Sequence, residues 1–308
     1  MNNIERVDVA IIGAGTAGLA ALREVRKRTN DFVLINAGSY GTTCARVGCM
    51  PSKALIAAAN AFHARCKLNE FGIRGGDALA ADIPAVLHRV RVLRDHFVSG
   101  VVEATEGLGS RNIAAHARLD GPNRLIAGGR VIEAEQIVLA PGSSPIVPDT
   151  WRAFGDKIIT SDTLFEQQDL PRRIGVIGLG AIGVEIAQAL ARLGLEVHGF
   201  DGADRIAGIS DEKIAQVARD LLAEEFAIHL GAQVELVAEP DLAGHRNRVG
   251  MAAGAVGLRR QFDRLADGHR GEGLRDLEGP ADPARGHAVR RQAGDLVAVD
   301  EDAARRRS

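Results

Sequence analysis

Apolar and polar positions along the first 240 residues fall into blocks that read as short strands followed by amphipathic helices. Residues 6–12, closing on the apolar run 9–12, form one short block, and the apolar residues 174–177 form a second. Both are too short for helices and are predicted to be buried strands. A glycine cluster follows each one. After the clusters the pattern predicts helices, the first running to about residue 28 and the second over 184–193, with a further amphipathic helix over 212–226. Residues 32–35, all apolar, predict the second strand of the first block. Strands alternating with helices imply an α/β fold on parallel sheets.

The glycine clusters are Gly13-Ala14-Gly15-Thr16-Ala17-Gly18 and Gly178-Leu179-Gly180-Ala181-Ile182-Gly183. G-x-G-x-x-G alone is a weak signal, and either copy also suits an ordinary turn. Placed between strand and helix, however, Gly13, Gly15 and Gly18, like Gly178, Gly180 and Gly183, permit a tight turn, close approach of a pyrophosphate and packing of helix on strand. The helix N-terminus then turns its free N–H groups and partial positive charge toward the phosphates. Asn36 and Asp201 end the next strands, where an acidic residue usually bonds the ribose hydroxyls. Gly13 to Asn36 and Gly178 to Asp201 both span 23 positions, so the two units share one internal geometry. Asn36 can still donate and accept such bonds, without charge. A carboxylate at Asp201 would bond a free 2′-hydroxyl and repel a 2′-phosphate, with Arg205 the only nearby cation, so NAD is expected over NADP.

Between the blocks lie Cys44 and Cys49, five positions apart. In a regular helix that spacing means a rotation of roughly 140° and a rise of about 7.5 Å, beyond the roughly 4.4–6.8 Å between Cα atoms that a disulfide needs. A bridge there demands a distorted turn, for which Gly48 and Pro51 are suited. The alternatives are two unpaired cysteines or a zinc site, the latter lacking the usual ligand spacing and a second ligand pair.

The chain has 308 residues, 46% hydrophobic and 25% charged, enough for a real core and about two domains. A net charge of −2 and a pI near 6.5 give no electrostatic case for nucleic acid or an acidic membrane. Residues 9–12 are too short a run to cross a bilayer, and Glu5 and Asp8 precede them where a secretory signal would be positive, so a cytoplasmic protein is expected. Three cysteines are too few for a disulfide scaffold; Cys66 is read as inert. His63, His88, His96 and His116 are read as surface or packing residues rather than ligands, and Met50, Leu55 and Ile56 as packing.

The segment Gly41-Thr42-Thr43-Cys44-Ala45-Arg46-Val47-Gly48-Cys49-Met50-Pro51-Ser52-Lys53 closely resembles the redox-active signature of the class I pyridine nucleotide–disulfide oxidoreductases. That family includes dihydrolipoyl dehydrogenase, glutathione reductase and mercuric reductase. The resemblance implies two Rossmann-like domains, FAD in the first and NAD in the second, at residues 1–146 and 147–240. It implies that Cys44 is the interchange thiol that meets the substrate and Cys49 the charge-transfer thiol beside the flavin. Lys53 would lie near the flavin and pair with Glu185, and Thr42 and Thr43 would help bind FAD phosphate. The backbone at Ala117 would meet the adenine. Ser143 falls in a segment like the family's A-T-G-x-x-P stretch, where the chain passes between domains. Arg46 departs from the usual Asn and Pro141 from the usual Thr.

The resemblance covers residues 5–240 and then ends. From Asp241 onward Ile, Lys, Thr, Tyr, Trp and Cys are absent, while Arg, Gly, Ala and Asp exceed half the residues. Without sustained periodicity, 241–308 is expected to be disordered, and is read as out-of-frame translation of a GC-rich gene. The rest of the NAD domain, a third FAD segment and the C-terminal dimerisation domain with its catalytic base are expected to be missing, although the family is homodimeric. The implied activity is FAD- and NAD-dependent oxidation of a small-molecule or lipoyl dithiol through Cys44 and Cys49, as in dihydrolipoyl dehydrogenase. The alternatives are a mercuric reductase-like or other disulfide reductase, and a non-catalytic nucleotide-binding remnant.

Overall fold

The computed structural model describes residues 4–238 and the strand backbones at 256–258, 288–290 and 296–299. Two units emerge, Met1–Ala54 with Arg89–Ser144, and Leu55–His88 with the chain from Pro145 onward.

The first unit is built on a six-stranded sheet. Its strands are β1 (Ile4–Ile12), β2 (Phe32–Ile35), β3 (Asn112–Ile113), β4 (Ala117–Leu119), β5 (Arg124–Ala127) and β6 (Arg130–Leu139), in the order β3-β2-β1-β6-β5-β4. The four strands β3, β2, β1 and β6 are mutually parallel, and β5 and β4 continue as an antiparallel meander. Every residue of β2 is buried, as a continuous apolar run inside a two-sided sheet requires. Val33 and Ile35 pack on one face with Ile113, Leu125 and Ile132, while Phe32 and Leu34 pack on the other with Ile11, Leu22 and Leu108. Helix α1 (Thr16–Val25) follows β1 directly; it is shorter than expected, closing before Arg28. Next come α2 (Thr43–Arg46), α3 (Cys49–His63) and the long α4 (Ile83–Glu106).

In the second unit, β7 (Ile158–Thr160) leads to the short α5 (Ser161–Leu164), then β8 (Arg173–Ile177), α6 (Ala181–Arg192), β9 (Glu196–Phe200), α7 (Glu212–Ala223) and β10 (Ala227–His229). Helix α7 stops three residues before the expected end. The capping is legible: Asp211 accepts the Ile214 N–H at 3.0 Å, a side-chain N-cap. Segment 55–88 joins this unit, with Asn60 of α3 accepting from Arg192 of α6 at 2.6 Å. Arg192 also binds Glu225, which accepts from Gln188 at 2.8 Å. That hydrogen bond from Arg192 holds the Glu225 carboxyl below the usual carboxylate range.

Among the described residues, three short strands fall within 241–308. β11 (Leu236–Ala238), β12 (Val256–Leu258) and β13 (Ala288–Arg290) form an antiparallel sheet. β14 (Leu296–Val299) lies between β7 and β8, parallel to both, in a sheet ordered β10-β9-β8-β14-β7. A four-residue apolar run is the shortest strand signal, and Arg- and Gly-rich surroundings mask it. The remainder of 241–308 lies outside the described residues, as does the expectation of disorder there. Among the described residues no helix is long and apolar enough to cross a membrane.

Candidate functional site: two glycine turns and a thiol pair

The three glycines of the first turn meet different demands. Gly13 has φ +107°, and a Cβ there would come within 1.9 Å of the Ala140 carbonyl oxygen. A Cβ on Gly18 would lie 1.8 Å from the Gly13 carbonyl oxygen. Both are glycine because the protein itself leaves no room. At Gly15 a Cβ would meet no protein atom within 4 Å. Its open side is therefore available to a ligand, and it caps α1 with no side chain between the helix N-terminus and that space. The glycine spacing, open cradle and helix N-terminus fit the pyrophosphate of a dinucleotide.

The second turn repeats the first bond for bond. Gly13 N–H donates to Ile35 O and Gly178 N–H to Phe200 O, each at 2.7 Å. Ala14 N–H donates to Asn36 Oδ1 at 3.2 Å, and Leu179 N–H to Asp201 Oδ2 at 2.8 Å. Asn36 N–H donates to Ile113 O and Asp201 N–H to His229 O, each at 3.0 Å. Gly178 likewise has a positive φ, +98°, and Gly180 caps α6. Gly183 is buried in the first turn of α6. The equal spacing legible in the sequence thus reflects equal bonding. Not legible was that both strand-end side chains bond the backbone of their own glycine turn. Asp201 is only 4% exposed, and its second oxygen accepts Ala203 N–H at 2.8 Å.

The cysteines lie where α2 gives way to α3. Thr42 caps α2, its Oγ1 accepting the Ala45 N–H at 3.1 Å, and Thr43 is the exposed first residue of that helix. At Val47 the backbone leaves helical geometry (φ −128°, ψ −3°), and α3 restarts at Cys49. This interruption is the distorted turn the spacing demanded. Gly48 serves it by close approach rather than by unusual φ: its φ is not left-handed, and a Cβ there would stand 3.0 Å from Thr43 O. Pro51 sits in the first turn of α3, where its missing N–H costs no helix bond. Cys44 and Cys49 are both free thiols, Cys44 on α2 and Cys49 at the start of α3. The hydrogen bond to Cys49, then burial and the charge of Cys49, push the Cys44 thiol above its ordinary pKa. Cys49 is exposed, and Lys53 follows it by one turn on the same face of α3.

Ala117 opens β4 half-buried and opposite Ala127. Ser143 is exposed at the end of the first unit, beside Gly142 with φ +75°. Glu185 lies half-buried on α6, in the second unit, whereas Lys53 belongs to the first. Cys66 is exposed on a short 3₁₀ segment. Among the described residues no three His, Cys, Asp or Glu side chains gather as a metal site.

A nucleotide-type turn and a thiol pair in one unit are a combination with known relatives. The family model of pyridine nucleotide-disulphide oxidoreductases matches residues 7–256. The chain belongs to that family. Its members work with FAD and NAD(P), and the two glycine turns fit those two dinucleotides. The chain is 30% identical over 226 residues to dihydrolipoyl dehydrogenase of Bacillus subtilis (strain 168), covering 70% of this chain and 48% of that protein. It is 32% identical over 238 residues to mercuric reductase of Streptomyces lividans, covering 75% and 50%. The Cu(II) complex of the HOCl-induced flavoprotein disulfide reductase RclA from Escherichia coli shares the fold, with a TM-score of 0.67 at 20% identity over 96% of this chain and 56% of that one. The chain spans about half the length of the curated relatives it matches.

Proposed function

We propose that the chain carries the dithiol-exchanging half of a flavin-dependent disulfide oxidoreductase of the dihydrolipoyl dehydrogenase type. The observation that carries this reading is the pair of free thiols that flank the interrupted helix, Cys44 on α2 and Cys49 at the start of α3. In the oxidised enzyme the pair forms a disulfide. A thiolate of a dihydrolipoyl-type substrate attacks Cys44 Sγ, and Cys49 leaves as the thiolate. The second substrate thiol gives up its proton to a base and attacks the mixed disulfide, so that the substrate leaves as a disulfide and Cys44 as the new thiolate. Two electrons then reside on the protein's sulfurs. A thiolate at Cys44 takes up a proton readily, because neighbouring Cys49 and burial hold its pKa above the ordinary thiol value.

FAD held at the first glycine turn would supply the two-electron acceptor between the dithiol and NAD. Gly13, Gly15, Gly18, Asn36, Thr42, Thr43, Ala117 and Ser143 would hold it, with Lys53 near its reactive end and Glu185 as the partner of Lys53. Gly178, Gly180, Gly183 and Asp201 would form the pyridine-nucleotide site. The partner is a small-molecule or lipoyl dithiol, and the setting proposed is cytoplasmic. Reduction of a soft metal ion is the second reading, favoured by the likeness to mercuric reductase.

The test is NAD reduction by dihydrolipoamide, set beside Hg(II)-dependent oxidation of NADPH, in the flavin-loaded chain. Turnover with dihydrolipoamide that vanishes in Cys44→Ser supports the reading. Turnover with Hg(II) alone transfers the chain to the second reading. A chain that takes up no flavin would be a non-catalytic remnant.

A further inference from the structure

Single exposed apolar side chains are ordinary on a protein surface, but three of them share one face of α7. Ile214, Val217 and Leu221 are 58%, 56% and 60% exposed. Their spacing of three and then four residues lines them up along the helix as one stripe. The opposite side of α7 is the one that packs. There Ala215 is buried, Arg219 and Leu222 are half-buried, and Arg219 donates from Nη2 to Asp204 O at 2.9 Å. A surface helix needs one apolar stripe to dock on its own domain, so the second stripe is surplus to the packing of the described residues.

The charges beside the stripe select what fits it. Lys213, Asp220 and Glu224 are exposed along one edge, basic toward the helix N-terminus and acidic toward the C-terminus. At 3.6 residues per turn the three fall within about 40° of one another around the axis. Asp220 accepts from Gln216 Nε2 at 2.7 Å, one turn back, which keeps its carboxylate on that surface. Consider a second α7 laid antiparallel on the first, with Val217 at the crossing point. Ile214 of each copy then lies beside Leu221 of the other, and Lys213 of each beside Asp220 of the other. Twofold symmetry makes every such contact twice. In a parallel pair Lys213 would instead face Ala218, which carries no charge. Flanking charges of this kind set partner and orientation in helix pairs, and here they complement a second copy of the same helix.

We propose that α7 is a self-association surface: two copies of the chain pair through Ile214, Val217 and Leu221 in an antiparallel crossing, with Lys213–Asp220 ion pairs on the flank. Three side chains and their borders fall at the small end of protein interfaces, below about 1,200 Å², so the dimer is weak and reversible. The inference does not rest on the flavin and thiol chemistry, since none of these residues belongs to a glycine turn or to the cysteine pair.

Sedimentation velocity of the full chain, from about 1 μM to about 200 μM, tests this, with thermal melts to show that each variant is folded. The parent is expected to pass from monomer to dimer with a dissociation constant on the order of tens of micromolar. Val217→Asp sets two like charges at the crossing point and should leave a monomer throughout the range; should it fail to fold, Leu221→Lys asks the same of the stripe. Lys213→Glu turns both flanking pairs into repulsions and should weaken the dimer about tenfold or more. Adding Asp220→Lys to Lys213→Glu restores opposite charges and should bring the affinity back to within about threefold of the parent. A parent that stays monomeric to about 200 μM overturns the proposal, whether the stripe is open to water or covered by other protein. A dimer that survives Val217→Asp puts the association on another surface and overturns it as well. A dimer indifferent to Lys213→Glu, or one that the double variant does not restore, overturns the antiparallel pairing.

Discussion

The glycines of the first turn separate folding from binding one residue at a time. Gly15→Val places its side chain in space that no protein atom occupies, so the variant is expected to melt within a few degrees of the parent while losing flavin. Gly13→Ala puts a Cβ against the Ala140 backbone at a positive φ, at a cost of at least about 3 kcal/mol. Thermal melts beside flavin absorption check both, and a Gly15→Val chain that still binds flavin contradicts the assignment of the turn. The thiols allow a second residue-level test. Hydrogen bonding to Cys49 raises the Cys44 pKa, so Cys44 should be slow to alkylate below its raised pKa. Cys49→Ala removes the bond and the neighbouring charge, and the pH profile of Cys44 alkylation is expected to move to lower pH. A shift to higher pH would mean that Cys49 was not the cause.

Among the elements, α6 depends on a charge cluster that the sequence did not reveal. Arg192 and Gln188 project from α6 onto Glu225, just after α7. Because the Glu225 pKa is depressed in the folded chain, its contribution is present above the unfolded carboxylate pKa and is lost as pH falls through the lower folded value. Glu225→Gln should therefore destabilise the second unit by about 1–2 kcal/mol at neutral pH, and the difference from the parent should shrink below about pH 4. Denaturant melts at the two pH values check this, and a gap that widens in acid would reverse the sign. The short elements around the thiols behave differently. Interruption of the helix at Val47 was foreseeable from the five-residue cysteine spacing, but the reason for Gly48 was not, because a close backbone contact with Thr43 leaves no mark in a single sequence.

For the whole molecule, legibility followed the length and repetition of the signal. Both strand–glycine–helix units could be read from equal spacings, and β2 from four consecutive buried apolar residues. Asn36 and Asp201 follow the ends of β2 and β9 as the spacing predicts, but their bonds to Ala14 and Leu179 leave no mark in the sequence, since a strand-end polar residue looks the same whether it faces ligand or backbone. β14 was missed because its pairing with β7 and β8 is set by tertiary context rather than by local periodicity. The central claim is that Cys44 and Cys49 form one redox couple, and peptide mapping of the full chain tests it most directly. After treatment with oxidised lipoamide and trapping of free thiols, a stoichiometric Cys44–Cys49 disulfide is expected, with Cys66 free, and excess dihydrolipoamide should return both cysteines to thiols. Cys44 found bridged to Cys66, or left free while lipoamide is in excess, would contradict the account.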